Sequence, residues 1–206
     1  MDPIDEMKET FAENAYHNAP GASDSLADAA DTVFAEQASR VLQLTADVAR
    51  DLIGAHQSAV ALIVDNDWPT ARKYFSLSDK YADWADYNTP AVGVGIHSLV
   101  MRINAPMRLT QAELEAHPEW RGFGIEAAKH PPMRGWLAAP LVGKDGKNYG
   151  LLQVSDKYEG EFTAEDEVAV VRLANLTSVA LNALWDVRTL GQAGHAAPAE
   201  KTPAAQ

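Results

Sequence analysis

Histidines and carboxylates are the side chains that most often act as acids, bases or metal ligands, and the sequence holds 6 His and 29 Asp plus Glu. Their spacing matches no motif that such chemistry requires. The chain contains no Gly-rich phosphate loop followed by Lys and Ser or Thr, no Gly-x-Ser-x-Gly turn and no His-Glu-x-x-His helix. Most carboxylates stand in solvated runs or at predicted helix starts, as in Glu165-Asp166-Glu167, where they favour the helix N-terminus. The sequence therefore predicts a protein that is not an enzyme and that holds no metal.

The amino-acid composition excludes further classes of function. The chain has no cysteine, which rules out disulfides, thiolate metal sites and thiol catalysis. Its formal net charge of −12, with no basic run, repels phosphate backbones, so we expect no nucleic-acid binding. The longest apolar run is far shorter than the roughly 20 residues that span a bilayer, and the first residues lack the basic start of a signal peptide. We therefore expect a cytoplasmic protein with no membrane partner.

The middle of the chain, from about 79 to 134, combines aromatic and imidazole side chains in an irregular stretch. Small-molecule sites are mainly apolar and aromatic, with a few polar groups, so this stretch could cover a binding pocket. The alternative stays open that each ring only fills the core beneath a long loop. The side chains in question are Trp84, Tyr87, His97, His117, Trp120, Phe123 and His130.

Two long helices flank this stretch. The first is predicted from Ser23 or Ser25 to about Ile53, and the second begins at the Thr163-x-x-Asp166 sequence. Both carry apolar residues alternately three and four apart, a period that predicts packing on the sheet or a four-helix bundle across a two-fold axis. The two seams consist of Phe34, Ala38, Val41, Thr45, Val48 and Leu52, and of Leu173, Leu176, Ala180, Ala183, Val187 and Leu190.

Short elements between the helices predict a single α+β domain with a sheet of five to six strands. Strands are predicted at 60–64, 70–78, 136–142 and 149–155, and short helices at 96–103 and from Thr110, whose spacing to Glu113 is a capping box. We expect a flexible arm over residues 1–23, the domain over 24–190 and a disordered Ala/Pro-rich tail over 191–206.

The four-residue sequence Ser-Asp-Lys-Tyr occurs twice, at 78–81 and at 155–158, each time just past a predicted strand. Ser and Asp commonly end strands, and one short match is not a repeat architecture. We therefore interpret the match as a common way of ending strands and not as a repeat.

Several segments together resemble a GAF domain, the small-molecule sensor module of bacterial signalling proteins. The segment 130–141 (HPPMRGWLAAPL), the turn at Asp145-Gly146, the strand 149–157 (YGLLQVSDK) and the helix start 160–167 (GEFTAEDE) resemble the second half of that family. Upstream, the segments 51–57, 76–81 and 106–110 resemble GAF segments of sensor histidine kinases. The resemblance covers about residues 30–190.

The resemblance implies a central antiparallel sheet with the two long helices on one face. On the other face it implies a ligand pocket roofed by short helices and loops. The function it implies is that of a stand-alone, non-enzymatic sensory domain that acts as a homodimer through its terminal helices and signals to a partner such as a histidine kinase. A small metabolite is the expected ligand. Its predicted binding residues are Trp84, Tyr87, His97, Trp120, Phe123, His130, Trp136 and Gln153.

Two alternatives remain at this stage. In oxygen- and redox-sensing kinases of the family, the His of a His-Pro-Pro-Met-Arg sequence is the proximal haem ligand. The resemblance would give that role to His130, with His117 as a second histidine upstream. The other alternative is a ligand-free interaction module, in which side chains fill the central pocket.

Overall fold

The computed structural model describes residues 26–63, 67–85, 93, 95–120 and 133–195. The predictions for Tyr87, Phe123, His130 and the N-terminal arm fall outside these residues. In chain order the elements are α1 (Leu26–Ile53), β1 (Ala55–Leu62), a 3-10 turn (Trp68–Thr70), β2 (Arg72–Leu77), a 3-10 segment (Asp79–Trp84), α2 (Ile96–Ile103), β3 (Met107–Leu109), α3 (Gln111–Ala116), β4 (Trp136–Val142), β5 (Asn148–Lys157) and α4 (Ala164–His195).

The strands form one five-stranded antiparallel sheet in the order β2-β1-β5-β4-β3. This confirms the predicted α+β class and the number of strands. Strand β1 begins at Ala55, five residues earlier than predicted, because its polar first half pairs with both neighbouring strands. The sequence analysis missed β3, whose three residues are too few to show an alternating pattern.

Both faces of the sheet are covered. On one face, α1 and α4 pack over a helix-side core, which includes Val60, Leu137, Leu152 and Val154 of the strands. On the other face, α2 and α3 contribute to a second, loop-side core. The residues at the centre of that core are Ile63, Ile96, Val100, Met101, Leu114, Met133, Trp136, Ala138 and Leu151.

The predicted seams coincide with the buried faces of the two long helices only in part. Of the α1 seam, Phe34, Ala38 and Thr45 are buried. Helix α1 buries Leu42, Ala46, Ala49 and Ile53, and helix α4 buries Val170, Ala174, Leu181 and Trp185. The alanines allow each helix to approach its neighbours closely. Several larger aliphatic side chains of the predicted seams stand away from the core, so for these residues the alternative of packing on the sheet is wrong. The exposed seam residues are Val48, Leu52, Leu176, Val187 and Leu190.

Helices α1 and α4 pack side by side in opposite directions. The Thr45 and Thr177 hydroxyls form a buried hydrogen bond of 2.9 Å midway along the pair. Near the start of α1, the Asp31 carboxylate accepts a hydrogen bond of 2.7 Å from Nε of Arg188, close to the end of α4. Helix α4 continues to His195, five residues past the predicted end at 190.

By length and composition alone, the stretch Ala164–Leu190 of α4 is the one part of the described chain that could cross a membrane. The same test is passed by core helices of water-soluble proteins. One face of α4 packs on the sheet through the helix-side core, as a core helix does.

The two predicted helix starts are confirmed. The Thr110 hydroxyl accepts a hydrogen bond from the Glu113 amide, and the Glu113 carboxylate accepts one from the Thr110 amide, so both halves of the capping box form. At α4, Asp166 and Thr163 make the same reciprocal pair, at 2.7 and 3.2 Å.

Candidate functional site

The face of the sheet opposite the long helices carries two rows of side chains across β2, β1, β5 and β4. Directly opposed residues of an antiparallel pair project to the same face, so the register defines which side chains are neighbours. The first row is Lys73, Ala61 and Leu151, and the second is Phe75, Ala59, Gln153 and Ala138.

The two halves of this face are covered to different degrees. Over β4 and part of β5, the loop-side core leaves Trp136, Ala138 and Leu151 fully buried. Over β1 and β2, the side chains of Lys73 and Phe75 are only half-buried. Between them, Ala59 is buried and Ala61 packs at the margin of the loop-side core. We call the following set of strand residues, together with His97 of α2, the candidate ligand face: Ala59, Ala61, Lys73, Phe75, His97 and Gln153.

Three predicted site residues meet at the border between these halves. The indole Nε1 of Trp136 donates a 2.8 Å hydrogen bond to Oε1 of Gln153. The His97 ring, from α2, lies edge-on to the Trp136 ring with 5.3 Å between centroids and 79° between planes. His97 also hydrogen-bonds to the Gln153 side chain. The structure thus brings three of the predicted site residues together: His97, Trp136 and Gln153.

The surroundings of His97 keep its imidazole neutral. Desolvation is the main cause that lowers the pKa of His97 to about 4, and the positive charge of Lys73 lowers it further, whereas the hydrogen bond with Gln153 opposes the shift. At pH 7 the ring is therefore an uncharged hydrogen-bonding group in a largely apolar wall. Such a group can orient a ligand without adding charge.

Lys73 is a residue of this face that the sequence analysis missed. It stands opposite Ala61 in the β1–β2 pair, and burial lowers the pKa of its ammonium. The available signal was its position two residues before Phe75 in a predicted strand, which places both on one face.

The remaining predicted residues lie elsewhere. Trp120 is half-buried at the margin of the loop-side core. Trp84 packs against Tyr81, with 5.5 Å between ring centroids, in the 3-10 segment after β2. His117 accepts a 3.1 Å hydrogen bond from the Glu119 amide at the end of α3. The haem alternative through His130 concerns a residue outside the described ranges and stays a prediction.

The two Ser-Asp-Lys-Tyr copies meet at one end of the strands, which we call this edge of the sheet. Strands β2 and β5 flank β1 and run in the same direction, so they end beside each other. The buried carboxylate of Asp156, from the second copy, accepts hydrogen bonds from the Lys80 ammonium and the Tyr81 hydroxyl of the first. Beside them, Nδ1 of His56 and the Ser78 hydroxyl are hydrogen-bonded at 2.8 Å. We call these five residues the Asp156 cluster, in which residues of the two copies contact each other.

The Asp156 cluster is built around an unusual backbone position. Asp156 has φ of +56°, a left-handed conformation that few non-glycine residues adopt. Its amide donates a 2.8 Å hydrogen bond to the Arg134 carbonyl, which ties the chain before β4 to the cluster. Burial, and next the hydrogen bond to Asp156, raise the pKa of the Tyr81 hydroxyl, so this phenol remains a donor at neutral pH.

Both long helices are connected to this edge. Lys157, next to Asp156, forms an ion pair with Asp166 at the start of α4. The Tyr158 amide donates a 2.7 Å hydrogen bond to the carbonyl of Gly54, which follows the end of α1. The Asp156 cluster therefore joins the 3-10 segment after β2 to the sheet-edge ends of α1 and α4.

Comparison with known proteins identifies the fold. Similar solved structures include the GAF domain of a phosphoenolpyruvate-protein phosphotransferase from Coxiella burnetii, with 16% identity, a TM-score of 0.57 and coverage of 93% of this chain and 99% of that one. A methyl-accepting chemotaxis protein fragment (residues 122 to 287) has 15% identity, a TM-score of 0.58 and coverage of 79% and 98%. A type II free methionine-R-sulfoxide reductase from Thermoplasma acidophilum has 16% identity, a TM-score of 0.53 and coverage of 73% and 96%. At these identities the likeness concerns the fold.

The family assignment rests on the sequence itself. A family model described as GAF domain matches residues 35–182. This range runs from the first turns of α1 to near the middle of α4 and includes all five strands, the candidate ligand face and the Asp156 cluster. The chain therefore belongs to the GAF domain family.

Proposed function

We propose that this GAF domain is a cytoplasmic, non-enzymatic sensory module that binds a small molecule at the candidate ligand face. The observation that carries the proposal is the neutral His97 imidazole, hydrogen-bonded to Gln153 at the border between the fully buried part of this face and the part with the half-buried Lys73 and Phe75. A polar group in apolar surroundings costs free energy unless it forms hydrogen bonds. Small-molecule sites are where such groups are usually found, because they orient the ligand. The absence of cysteine excludes the thiol chemistry by which a methionine sulfoxide reductase with this fold could act.

The Asp156 cluster offers a route from the site to the helices. A ligand beside Phe75 would press on β2, whose end continues into the 3-10 segment that carries Lys80 and Tyr81. A shift of that segment would change its contacts with Asp156, and Lys157 links that position to α4. In this proposal the ligand biases the two long helices between two arrangements.

The readout that we propose is a homodimer formed by the long helices. Leu176, Val179, Val187 and Leu190 form an apolar stripe on α4, and each is at least 64% exposed. Leu44 and Leu52 of α1 are similarly exposed. An apolar stripe of this kind and length fits a second copy in a four-helix bundle, and the helices could pass the ligand state to a partner such as a histidine kinase.

A thermal-shift screen tests the sensory proposal. A metabolite present at a concentration 100 times its Kd stabilises the folded protein by about 2.7 kcal/mol. This raises Tm by about 5–10 °C for a domain of this size. His97→Phe keeps the ring shape and leaves the Trp136–Gln153 hydrogen bond in place, so the variant is expected to fold and to lose most of that shift. Arg102→Gln, on the exposed side of the same helix, is the control and is expected to respond like the natural chain. Equal responses of both variants would place the ligand elsewhere.

Light scattering coupled to gel filtration tests the dimer. The natural chain is expected at twice its 22.3 kDa mass. Leu176→Lys combined with Leu190→Lys is expected to yield a folded monomer, because each ammonium would have to be desolvated inside the bundle. Ile103→Lys changes a residue that is also exposed, but on α2, and is expected to remain dimeric. A natural chain that elutes as a monomer at high micromolar concentration refutes this part of the proposal.

A further inference from the structure

We propose that the homodimer is antiparallel, with a two-fold axis that crosses the long helices at right angles beside Val179 of α4 and Gln43 of α1. This inference rests on the dimer in the proposed function and specifies how its two copies are arranged. Helix α4 packs against α4 of the partner subunit, and α1 packs against α1. Three features support it: the spacing of the exposed apolar side chains, the heights at which they are centred, and the positions of two opposite charges.

The exposed aliphatic side chains of α4 form one straight row. Val168, Val179 and Leu190 follow each other at intervals of eleven residues, and Leu176 and Val187 are separated by the same interval. Eleven residues are close to three helical turns, so a row with this repeat stays on one side of the helix. The five side chains are between 47% and 73% exposed, so this side of α4 is accessible to a second copy.

Helix α1 adds a second row on the outer surface. Val33 and Leu44 are eleven residues apart, and Leu44, Val48 and Leu52 follow at intervals of four. At 3.6 residues per turn, this row lies on the side of α1 opposite to Ala46, which packs in the helix-side core. Since α1 and α4 lie side by side on the sheet, their two rows form one apolar face that points away from it.

The two rows are centred at the same height. The buried hydrogen bond between Thr45 and Thr177 shows which residues of the two antiparallel helices lie side by side. The α4 row is centred on Val179, two residues beyond Thr177, and this position is level with Gln43, two residues before Thr45. The α1 row is centred beside Gln43 as well. An antiparallel dimer requires this coincidence, because one axis must relate both helices to their copies.

Two opposite charges flank this centre on α1. Arg40 and Asp47 stand three residues before and four residues after Gln43, and both reach the surface. In an antiparallel pair, Arg40 lies within one residue of the height of Asp47 of the partner subunit, and the contact occurs twice. The neutral Gln43 amide donates a 3.3 Å hydrogen bond to Asp47, which leaves the carboxylate charge in place. Neither Arg40 nor Asp47 has an ion pair in the part of the chain that the structure describes.

A parallel dimer does not provide these contacts. Its axis would run along the helices, α1 would pack against α4 of the partner subunit, and residues would keep the heights that they have within one chain. Arg40 would then stand level with Asn182 of the partner subunit, and Asp47 with Asn175 of the partner subunit, neither of which is charged. Because opposite charges across an interface determine its orientation more than its affinity, Arg40 and Asp47 favour the antiparallel dimer.

The other charges beside the apolar face do not distinguish the two arrangements. Two carboxylates are already neutralised by cations of the same chain, in the ion pairs Arg50–Asp51 and Lys144–Asp186. Glu36 and Arg172 each stand level with one of these pairs in either arrangement.

Disulfide cross-linking tests the arrangement, because the chain has no cysteine of its own. Val179→Cys places the thiol beside its own copy, and mild oxidation is expected to convert most of the protein to a covalent dimer on a non-reducing gel. Leu190→Cys is expected to give less than about a tenth of that yield, because a disulfide needs Cα atoms within about 7 Å. At 1.5 Å per residue, its two thiols lie about 33 Å apart along the helices. The double variant Val168→Cys/Leu190→Cys is expected to cross-link again, because each thiol then faces the other one in the partner subunit.

Charge reversal tests the orientation independently. Arg40→Glu is expected to raise the dimer dissociation constant about tenfold, since two carboxylates then face each other at both contacts. Arg40→Glu combined with Asp47→Arg is expected to restore the natural value, which light scattering over a dilution series measures. Arg102→Glu, which reverses an exposed charge on α2, is the control and is expected to leave the dissociation constant unchanged.

The outcomes separate this arrangement from the proposed function. Equal cross-linking of Val179→Cys and Leu190→Cys would show parallel α4 helices and overturn the inference. A natural chain that is dimeric while neither of these variants cross-links overturns it as well, and so does a charge-swapped variant that dimerises as weakly as Arg40→Glu. In each of these cases the homodimer itself stands.

A monomeric natural chain overturns both the arrangement and the dimer, whereas the thermal-shift screen decides ligand binding separately. Circular dichroism of each variant verifies that the substitutions leave the fold intact.

Discussion

The Gly150→Ala variant is expected to lose about 4 kcal/mol or more of unfolding free energy, which is exceptional for a single added methyl group. A Cβ atom at Gly150 would lie 2.2 Å from the carbonyl oxygen of Ala61 and 3.2 Å from its carbonyl carbon. Both are backbone atoms of β1, which is held by β2 on one side and β5 on the other. Because β1 cannot move away without breaking one of these pairings, the clash cannot be relieved at a small cost in free energy. Natural domains are stable by only about 5–15 kcal/mol, so much of the variant should be unfolded or insoluble.

Gly146→Ala is the matched control for this prediction. Gly146 lies in the adjacent β4–β5 hairpin with φ of +80°, and a Cβ atom there would meet nothing within 4 Å. Its replacement should cost only the strain of a left-handed alanine, about 1–2 kcal/mol. Urea denaturation monitored by tryptophan fluorescence measures both variants. A Gly150→Ala protein as stable as Gly146→Ala would show that β1 and β5 separate more easily than their pairing indicates.

The second large effect is expected for Asp156→Ala, at about 3 kcal/mol of lost stability. The substitution removes the acceptor of the Tyr81 hydroxyl and the partner of the Lys80 ammonium. Tyr81 is only 2% exposed, so its hydroxyl would be left buried without this acceptor, and an unsatisfied buried polar group costs about 1–3 kcal/mol. Lys80 is partly exposed, so in the variant its ammonium can be hydrated, which limits the contribution of the lost ion pair to the destabilisation.

The two Ser-Asp-Lys-Tyr copies supply the control for this experiment. Asp79 is the corresponding aspartate of the first copy and is exposed, so Asp79→Ala is expected to cost less than about 0.5 kcal/mol. In the double variant Tyr81→Phe/Asp156→Ala, the effects should be less than additive, because the introduced phenylalanine has no hydroxyl that needs an acceptor. Additive losses in denaturant titrations would mean that the Tyr81–Asp156 hydrogen bond contributes nothing to stability.

The elements that the sequence predicts best are those with local signals. Helix α2 and strand β4 have the bounds that were predicted, because glycines, prolines and short apolar runs delimit them. The capping box at Thr110 formed as its spacing indicates. The family resemblance, carried by the segments from 130 to 167, correctly indicated long helices on one face of the sheet and short helices on the other.

The parts that were missed depend on pairing between distant segments. Lys73 belongs to the candidate ligand face only because β2 pairs with β1 in one particular register. The Asp156 cluster forms only because Tyr81 and Asp156, 75 positions apart in the sequence, lie where two strands end at the same edge. The predicted seams of α1 and α4 match the buried faces only in part, for a different reason. Each helix is apolar on two sides, and a period of three and four does not say which side meets the sheet.

The antiparallel packing of α1 and α4 has a consequence for how the domain can be connected to other polypeptides. The hydrogen bond between Asp31 and Arg188 places the outer ends of the two helices next to each other. The first described residues of α1 and the last described residues of α4 thus lie near each other, on the side remote from the Asp156 cluster. A domain with this geometry can be inserted into a surface loop of an unrelated host protein with little strain on either partner. It would then act as an inserted regulatory domain. Any movement that separates the two helix ends would also separate the two host residues to which they are joined.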